Sequence, residues 1–69
     1  MTAPTTETMV RIEINKSDVL RAASVVKALH VTFSIETHPD IVTVRIITVW
    51  KRDEASVLAA LRDTDIDIV

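Results

Sequence analysis

The chain has 69 residues, enough for one small domain, and its 48% hydrophobic and 26% charged residues fit a folded chain rather than a disordered one. Its formal net charge of −2 and its pI near 5.5 argue against a nucleic-acid partner, since phosphate binding requires a basic face. There is no cysteine for a disulfide or a thiolate metal site, and no glycine for a phosphate-binding loop.

Residues 1–8 are polar and rich in threonine, so we expect a disordered tail followed by a single domain at residues 9–69. The tail lacks the features of a secretory signal, and no apolar run reaches the roughly 18 residues of a membrane span. We therefore expect a cytoplasmic protein with no membrane partner. Because glycine is absent, any position with a positive φ must be filled by Asn, Asp or another residue at an energetic cost.

Strand and helix periodicities follow one another along the domain. The predicted elements are a strand at residues 9–14, a helix at 18–29, strands at 31–37 and 41–50, a helix at 53–63 and a last strand at 65–69. Ser17 is the expected N-cap of the first helix and Asp53 that of the second. The order βαββαβ predicts an α+β fold, a ferredoxin-like sandwich whose four-stranded antiparallel sheet (order 4-1-3-2) carries both helices on one face. No internal repeat is apparent.

The run at residues 41–50 is apolar on both faces, which predicts a central strand. A four-residue loop at residues 37–40 should precede it, since Pro39 and Asp40 favour a turn. Alternation then directs one set of side chains toward the helices: Val42, Val44, Ile46, Thr48 and Trp50. Trp50 would close the end of the core, which disfavours a nucleic-acid surface built from Trp50, Lys51 and Arg52. The other set includes Arg45, Ile47 and Val49 and lies on the open face of the sheet.

This open face is the predicted site of association, because a monomer seldom leaves an apolar patch uncovered. Opposite charges around an apolar centre suit a self-complementary two-fold contact, which predicts a homodimer. The predicted interface residues are Met9, Arg11, Glu13, Arg45, Ile47 and Val49. The alternative is a semi-polar sheet face that simply meets water.

Other motifs favour structural roles. Asp63, Asp65 and Asp67 have the spacing of a calcium loop, but an acidic edge strand explains them better because the required glycine and glutamate do not follow. His30 and His38 lie at opposite ends of a predicted strand, where each is expected to be an exposed loop residue and the two cannot share a metal. No serine has a histidine at a spacing that suggests activation. We expect no metal, no cofactor and no enzymatic activity.

The first half of the domain, VRIEINKSDVLRAASVVKALHVTFSIE, resembles the opening of an ACT domain, and the layout is similar to that of the small regulatory subunits of acetolactate synthase. The resemblance implies dimerisation and an effector amino acid bound at the turn after the first strand. Carried over by position, the effector site would comprise Asn15, Lys16, Ser17 and Asp18. This chain differs from the family at two positions where glycine is usual, Asp18 and His30.

Three functions are therefore open. The first is a non-catalytic interaction module that associates with itself through the open face or a strand edge and binds another protein. The second is an amino-acid-sensing regulatory subunit. The third is a small phage- or operon-encoded accessory protein that modulates a host protein.

Overall fold

The fold pairs two helices with a three-stranded sheet. The computed structural model describes residues 8–69, so most of the predicted N-terminal tail, residues 1–7, lies outside the described residues. The elements are β1 (Met9–Asn15), α1 (Val19–Ala28), β2 (Phe33–Thr37), β3 (Val44–Trp50) and α2 (Glu54–Asp63). A 3-10 turn precedes each helix, at Lys16–Asp18 and at Lys51–Asp53. The α+β class and both helices are confirmed, but the predicted N-cap bond of Ser17 is wrong because the 3-10 turn occupies that position.

The sheet is antiparallel with strand order β1-β3-β2, so the predicted four strands are corrected to three. The last segment lies beside β1, on the side expected for a fourth strand, but it forms only one isolated bridge, between Ile14 and Ile68. One further hydrogen bond follows, from the Val69 N–H to the Glu13 carbonyl at 2.8 Å. A single bridge is too short to count as a strand, which is why the order 4-1-3-2 is not realised.

The pairing register of β3 places its side chains on the faces opposite to those predicted. A four-residue loop would pair Glu36 with Ile41, whereas the structure pairs Glu36 with Ile46, five residues further along. Successive side chains alternate between faces, so a shift by an odd number of residues exchanges them. Ile47 and Val49 therefore face the helices, and the expectation that they lie on the open face is wrong.

The core lies between one face of the sheet and the two helices. Its buried members are Ile12, Ile14, Ala22, Val26, Ile47, Val49, Val57, Leu61 and Ile66. Each helix contributes two residues spaced four apart, which lie on the same side of a helix. No described helix packs on the opposite face, so that face remains the open side of the sheet.

A residue with positive φ follows each helix, two positions after its last residue, and neither of these residues is glycine. His30 has φ 57° and Asp65 has φ 58°. After α2, the Asp65 N–H donates to the Arg62 carbonyl and the Ile66 N–H to the Leu61 carbonyl, both at 3.0 Å. This is the Schellman arrangement, in which a left-handed residue redirects the chain and satisfies the last carbonyls of the helix. The expected cost of having no glycine therefore falls on His30 and Asp65.

The two halves of the chain repeat the same structure, although no repeat is apparent in the sequence. Every element of the second half is numbered 35 higher than its counterpart: β3 matches β1, Lys51–Asp53 matches Lys16–Asp18, α2 matches α1, and Asp65 matches His30. Even single hydrogen bonds correspond. The Lys16 N–H donates to the Thr43 carbonyl at 2.7 Å, and the Lys51 N–H donates to the Thr8 carbonyl at 2.8 Å.

Candidate interaction surface

The open face is built from four rows of cross-strand neighbours. The two ladders align β1, β3 and β2 so that Glu13, Ile46 and Glu36 form one row and Arg11, Thr48 and Ser34 the next. Met9 stands opposite Trp50 at one end of β3, and Asn15 stands opposite Val44 at the other. Of the predicted interface residues, Met9, Arg11 and Glu13 lie on this face.

The other three predicted interface residues lie on the helix face. Ile47 and Val49 are fully buried in the core, and Arg45, with the same parity, pairs with Ile14 and Thr37. The Arg45 guanidinium donates to the carbonyls of Val42 and Val44, at 2.8 and 3.1 Å. Arg45, Ile47 and Val49 therefore shape the fold and do not form a free surface.

Trp50, by contrast, belongs to the open face. It is half-buried, and the guanidinium carbon of Arg52 lies 5.9 Å from the centroid of its ring, within the range of a cation–π contact. Its cross-strand neighbour Met9 is 45% exposed. The expectation that Trp50 closes the core is wrong for the same odd shift in register. One end of the open face is thus apolar and carries positive charge.

The half of the open face that carries Val44 and Ile46 is already shielded. Val44 and Ile46 are only 3% and 5% exposed, although they do not belong to the core cluster beneath the helices. Glu13 and Glu36 stand on either side of Ile46 in the ladder, and both are acidic. A partner on this face would therefore meet Met9 and Trp50 at one end and the two carboxylates further along.

His38 connects the open face to the loop between β2 and β3. Its Nδ1 accepts the backbone N–H groups of Asp40 and Ile41, both at 3.0 Å, and its Nε2 lies 4.0 Å from Oε1 of Glu13. An Nδ1 atom that accepts two hydrogen bonds carries no proton, so in the neutral ring the proton is on Nε2, facing Glu13. His38 is thus a half-buried loop anchor, and its expected exposure is wrong; His30 is exposed as expected.

A cleft of about 260 Å³ lies where the first 3-10 turn meets this loop. It is lined by Asn15, Lys16, Ser17 and Thr43, three of which are among the residues that the ACT resemblance implies. The fourth, Asp18, is not a lining residue, and its Oδ1 accepts a 2.6 Å hydrogen bond from the Arg21 guanidinium. The Asp18 charge is therefore engaged within its own turn of helix.

Two of the residues that line the cleft are smaller than their counterparts in the repeat. The counterparts of Asn15 and Ser17 in the second half are Trp50 and Arg52, whose side chains are much larger. The small side chains of Asn15 and Ser17 leave room for the cleft at the first turn. This difference in side-chain size is visible in the sequence, but the two turns can be compared only once the repeat is known.

Two other kinds of site, a metal site and a membrane-spanning helix, have no candidate among the described residues. Among residues 8–69, no three His, Asp or Glu side chains come together as metal ligands. In the same range, no helix is both long enough and apolar enough to cross a bilayer. Comparison of the chain with models of known families, with curated proteins and with solved structures found no match.

Proposed function

We propose that this chain is a non-catalytic interaction module that associates with itself through the open face of its sheet and, in the cell, with a further protein. Three antiparallel strands with both helices on one face are compatible with a ferredoxin-like domain. In that reading the bridge at Ile68 marks the place of the fourth strand. A face without a covering helix is the surface that such a domain offers to a partner.

The charge distribution on the open face carries this proposal. Arg11 lies on the side of the face that bears Trp50, while Glu13 and Glu36 lie in the next row. A two-fold axis parallel to the sheet, lying between the two copies and running across the strands, would bring the basic part of one copy over the acidic part of the other. Such an arrangement is complementary to itself, so the occupant we commit to is a second copy of the chain.

The apolar end supplies an anchor. Tryptophan is enriched among the residues that dominate binding energy, and methionine adapts readily to a facing surface. Trp50 and Met9 are cross-strand neighbours, so they form one continuous patch rather than two isolated contacts. Association would bury this patch and leave the charges to set the orientation.

The experiment is a solution mass by light scattering. We expect the native chain to form dimers and Arg11→Glu to form monomers, because the reversal places like charges on both halves of the face. Lys27→Glu is the matched control, since Lys27 is an exposed cation in the last turn of α1, away from the sheet. A native chain that remains monomeric at millimolar concentration would refute the proposal.

A strand edge is the competing route to self-association. β2 pairs only with β3 among the described strands. The His38 N–H donates to Val44, so strand alternation directs the backbone groups of Phe33, Ile35 and Thr37 outward. Thr37→Pro removes one outward N–H without removing a bond to β3. A dimer that dissociates in Thr37→Pro but persists in Arg11→Glu would assign the contact to this edge.

The cleft favours a second candidate function, the binding of a small amino-acid effector at Asn15, Lys16, Ser17 and Thr43. Its volume is below the roughly 300–1,000 Å³ of drug-sized pockets, which suits a small metabolite. A lysine ammonium with amide and hydroxyl groups fits a carboxylate. An effector should raise the melting temperature by mass action, and Asn15→Trp, which copies the second half, should abolish the shift. If none of the twenty amino acids shifts the melting temperature, this second function is rejected.

A further inference from the structure

We infer that the outer edge of β1 at residues 9–12 binds an extended segment of a partner polypeptide with an aliphatic–acidic–aliphatic pattern. The inference rests on the proposed role as an interaction module and names a second surface and the chemistry of its partner. It follows from the internal repeat, because in the first half a strand pairs at the position whose counterpart on β1 is unpaired among the described residues.

The strand that follows each helix is the element that differs between the halves. After α1, β2 pairs with β3 over five residues, from Phe33 opposite Val49 to Thr37 opposite Arg45. After α2, the counterpart of Phe33 is Ile68, which bridges Ile14, the counterpart of Val49. Val69 then lies beside Glu13, to whose carbonyl its N–H donates. Among residues 8–69 no strand pairs with the outer edge of β1, the edge away from β3, at Ile12, Arg11 and Val10.

The backbone groups at this edge are oriented to receive a strand. The Glu13 carbonyl points outward, because it accepts the Val69 N–H at 2.8 Å. Backbone polar groups alternate in direction along a strand, so the N–H and C=O groups of Arg11 and Met9 point the same way. Four hydrogen-bonding groups in a row form the kind of edge to which an extended peptide adds.

The repeat also predicts the side chains of the incoming segment. The residue opposite Ile12 takes the place that Ile35 has opposite Ile47, where it packs partly buried against the core, so an aliphatic side chain fits. The next residue lies on the open face opposite Arg11, whose exposed guanidinium favours a carboxylate. The third, opposite Val10, corresponds to Thr37, where a β-branched side chain fits.

A second copy is a poorer occupant of this edge. A two-fold pairing of two β1 edges centred on Ile12, the middle of β1, would displace the Ile14–Ile68 bridge in both copies. The longest pairing that keeps this bridge is centred on Arg11 and would set two guanidinium groups opposite each other, which is destabilising. It would also displace Val69 from Glu13 in both copies. A single extended segment avoids both conflicts.

The test uses a labelled peptide, Lys-Ile-Glu-Val-Thr-Lys, and amide hydrogen exchange on the full chain. We expect binding, with exchange slowed at the amides of Met9 and Arg11. The matched control, Lys-Glu-Ile-Thr-Val-Lys, has the same composition with its faces exchanged, and should lose binding. Replacing the peptide glutamate by lysine should weaken binding up to about fivefold, and Arg11→Glu should reverse that preference.

The second part of the test uses a chain lengthened by three residues at its C-terminus. Appending Ile-Glu-Thr after Val69, a copy of the sequence at residues 35–37, should extend the pairing of Ile68 and Val69 along β1, raise the melting temperature and abolish peptide binding. A Gly-Ser-Gly extension should do none of these. No peptide binding, binding that survives the Ile-Glu-Thr extension, or protection at Phe33 and Ile35 instead would overturn the inference. The chain's mass without peptide tests the dimer separately, so failure of either idea is recognisable.

Discussion

Ile12 and Ile47 face each other across β1 and β3, and each is the counterpart of the other in the internal repeat. The approximate two-fold axis that relates the halves of the chain therefore passes through this pair. Both side chains are buried beneath the helices, at 4% and 0% exposure. Both belong to the same core cluster as Ala22 and Val26 of α1 and Val57 and Leu61 of α2, so this pair lies where the sheet meets the helices.

Neighbouring positions on β3 should respond very differently to truncation. Ile47→Ala opens a cavity at the centre of the core and should cost about 2–5 kcal/mol of unfolding free energy. Thr48→Ala lies on the open face and should cost less than about 1 kcal/mol. Urea denaturation followed by circular dichroism measures both. Equal losses would mean that the faces of β3 are assigned wrongly.

The sequence predicted both helices and the first three strands because their periodicity is local, whereas the predicted fourth strand is only a single bridge. Both helices begin and end within one residue of the predicted bounds, apart from the 3-10 turns. The sequence could not predict which face of β3 lies against the helices. Ile46 and Ile47 are adjacent, and both alternating sets of side chains on this strand contain apolar residues that suit a core. Which face each β3 side chain takes depended on the length of the loop between β2 and β3. The ring of His38 holds a longer loop there than the four residues predicted from Pro39 and Asp40.

Neither the repeat nor the cleft could be predicted from the sequence, for related reasons. Among residues 8–34 only Thr8, Ile12, Lys16 and Asp18 are identical to their counterparts Thr43, Ile47, Lys51 and Asp53. Core positions require only an apolar side chain of suitable size, so the halves could keep one backbone with different residues. The resemblance implies an effector site at Asn15, Lys16, Ser17 and Asp18 by position. Asp18 does not line the cleft, and Thr43, which does, comes from a loop distant in sequence.

Glycine at the two helix ends should stabilise the chain. His30 and Asp65 both hold positive φ, which costs a side chain with Cβ about 1–2 kcal/mol, less for aspartate. His30→Gly should therefore raise the unfolding free energy by about 0.5–1 kcal/mol and Asp65→Gly by less, once the greater freedom of glycine in the unfolded chain is subtracted.

The control for the helix ends is a glycine where φ is negative. Ala59 is an exposed residue inside α2, and Ala59→Gly should lower the unfolding free energy by about 1 kcal/mol. Thermal and urea unfolding give the sign in each case. Destabilisation by His30→Gly would contradict a left-handed conformation at that residue.

Removing the ring of His38 should loosen the loop between β2 and β3. His38→Ala leaves the amides of Asp40 and Ile41 without their acceptor and should cost about 1–2 kcal/mol. His38→Asn is the matched variant, because its side-chain oxygen accepts nearby backbone N–H groups in turns and should retain most of the stability. Hydrogen exchange at the two amides should accelerate in the alanine variant alone. Unchanged exchange there would show that Nδ1 does not hold the loop.

Two complementary charge-reversal variants can test the two-fold contact, because each alone should weaken the dimer and a mixture of the two should restore it. Arg11→Glu alone and the double variant Glu13→Lys, Glu36→Lys alone should each weaken self-association, by about 1–2 kcal/mol or roughly 5–30-fold, since two copies of each charge pair are lost. Mixing the two variants should restore a dimer, because each supplies the charge that the other lacks. Light scattering on the separate and mixed samples measures this, and a second run at high salt should reduce all the differences. If the mixture stays monomeric while the native chain dimerises, the contact does not join the basic part of one open face to the acidic part of another.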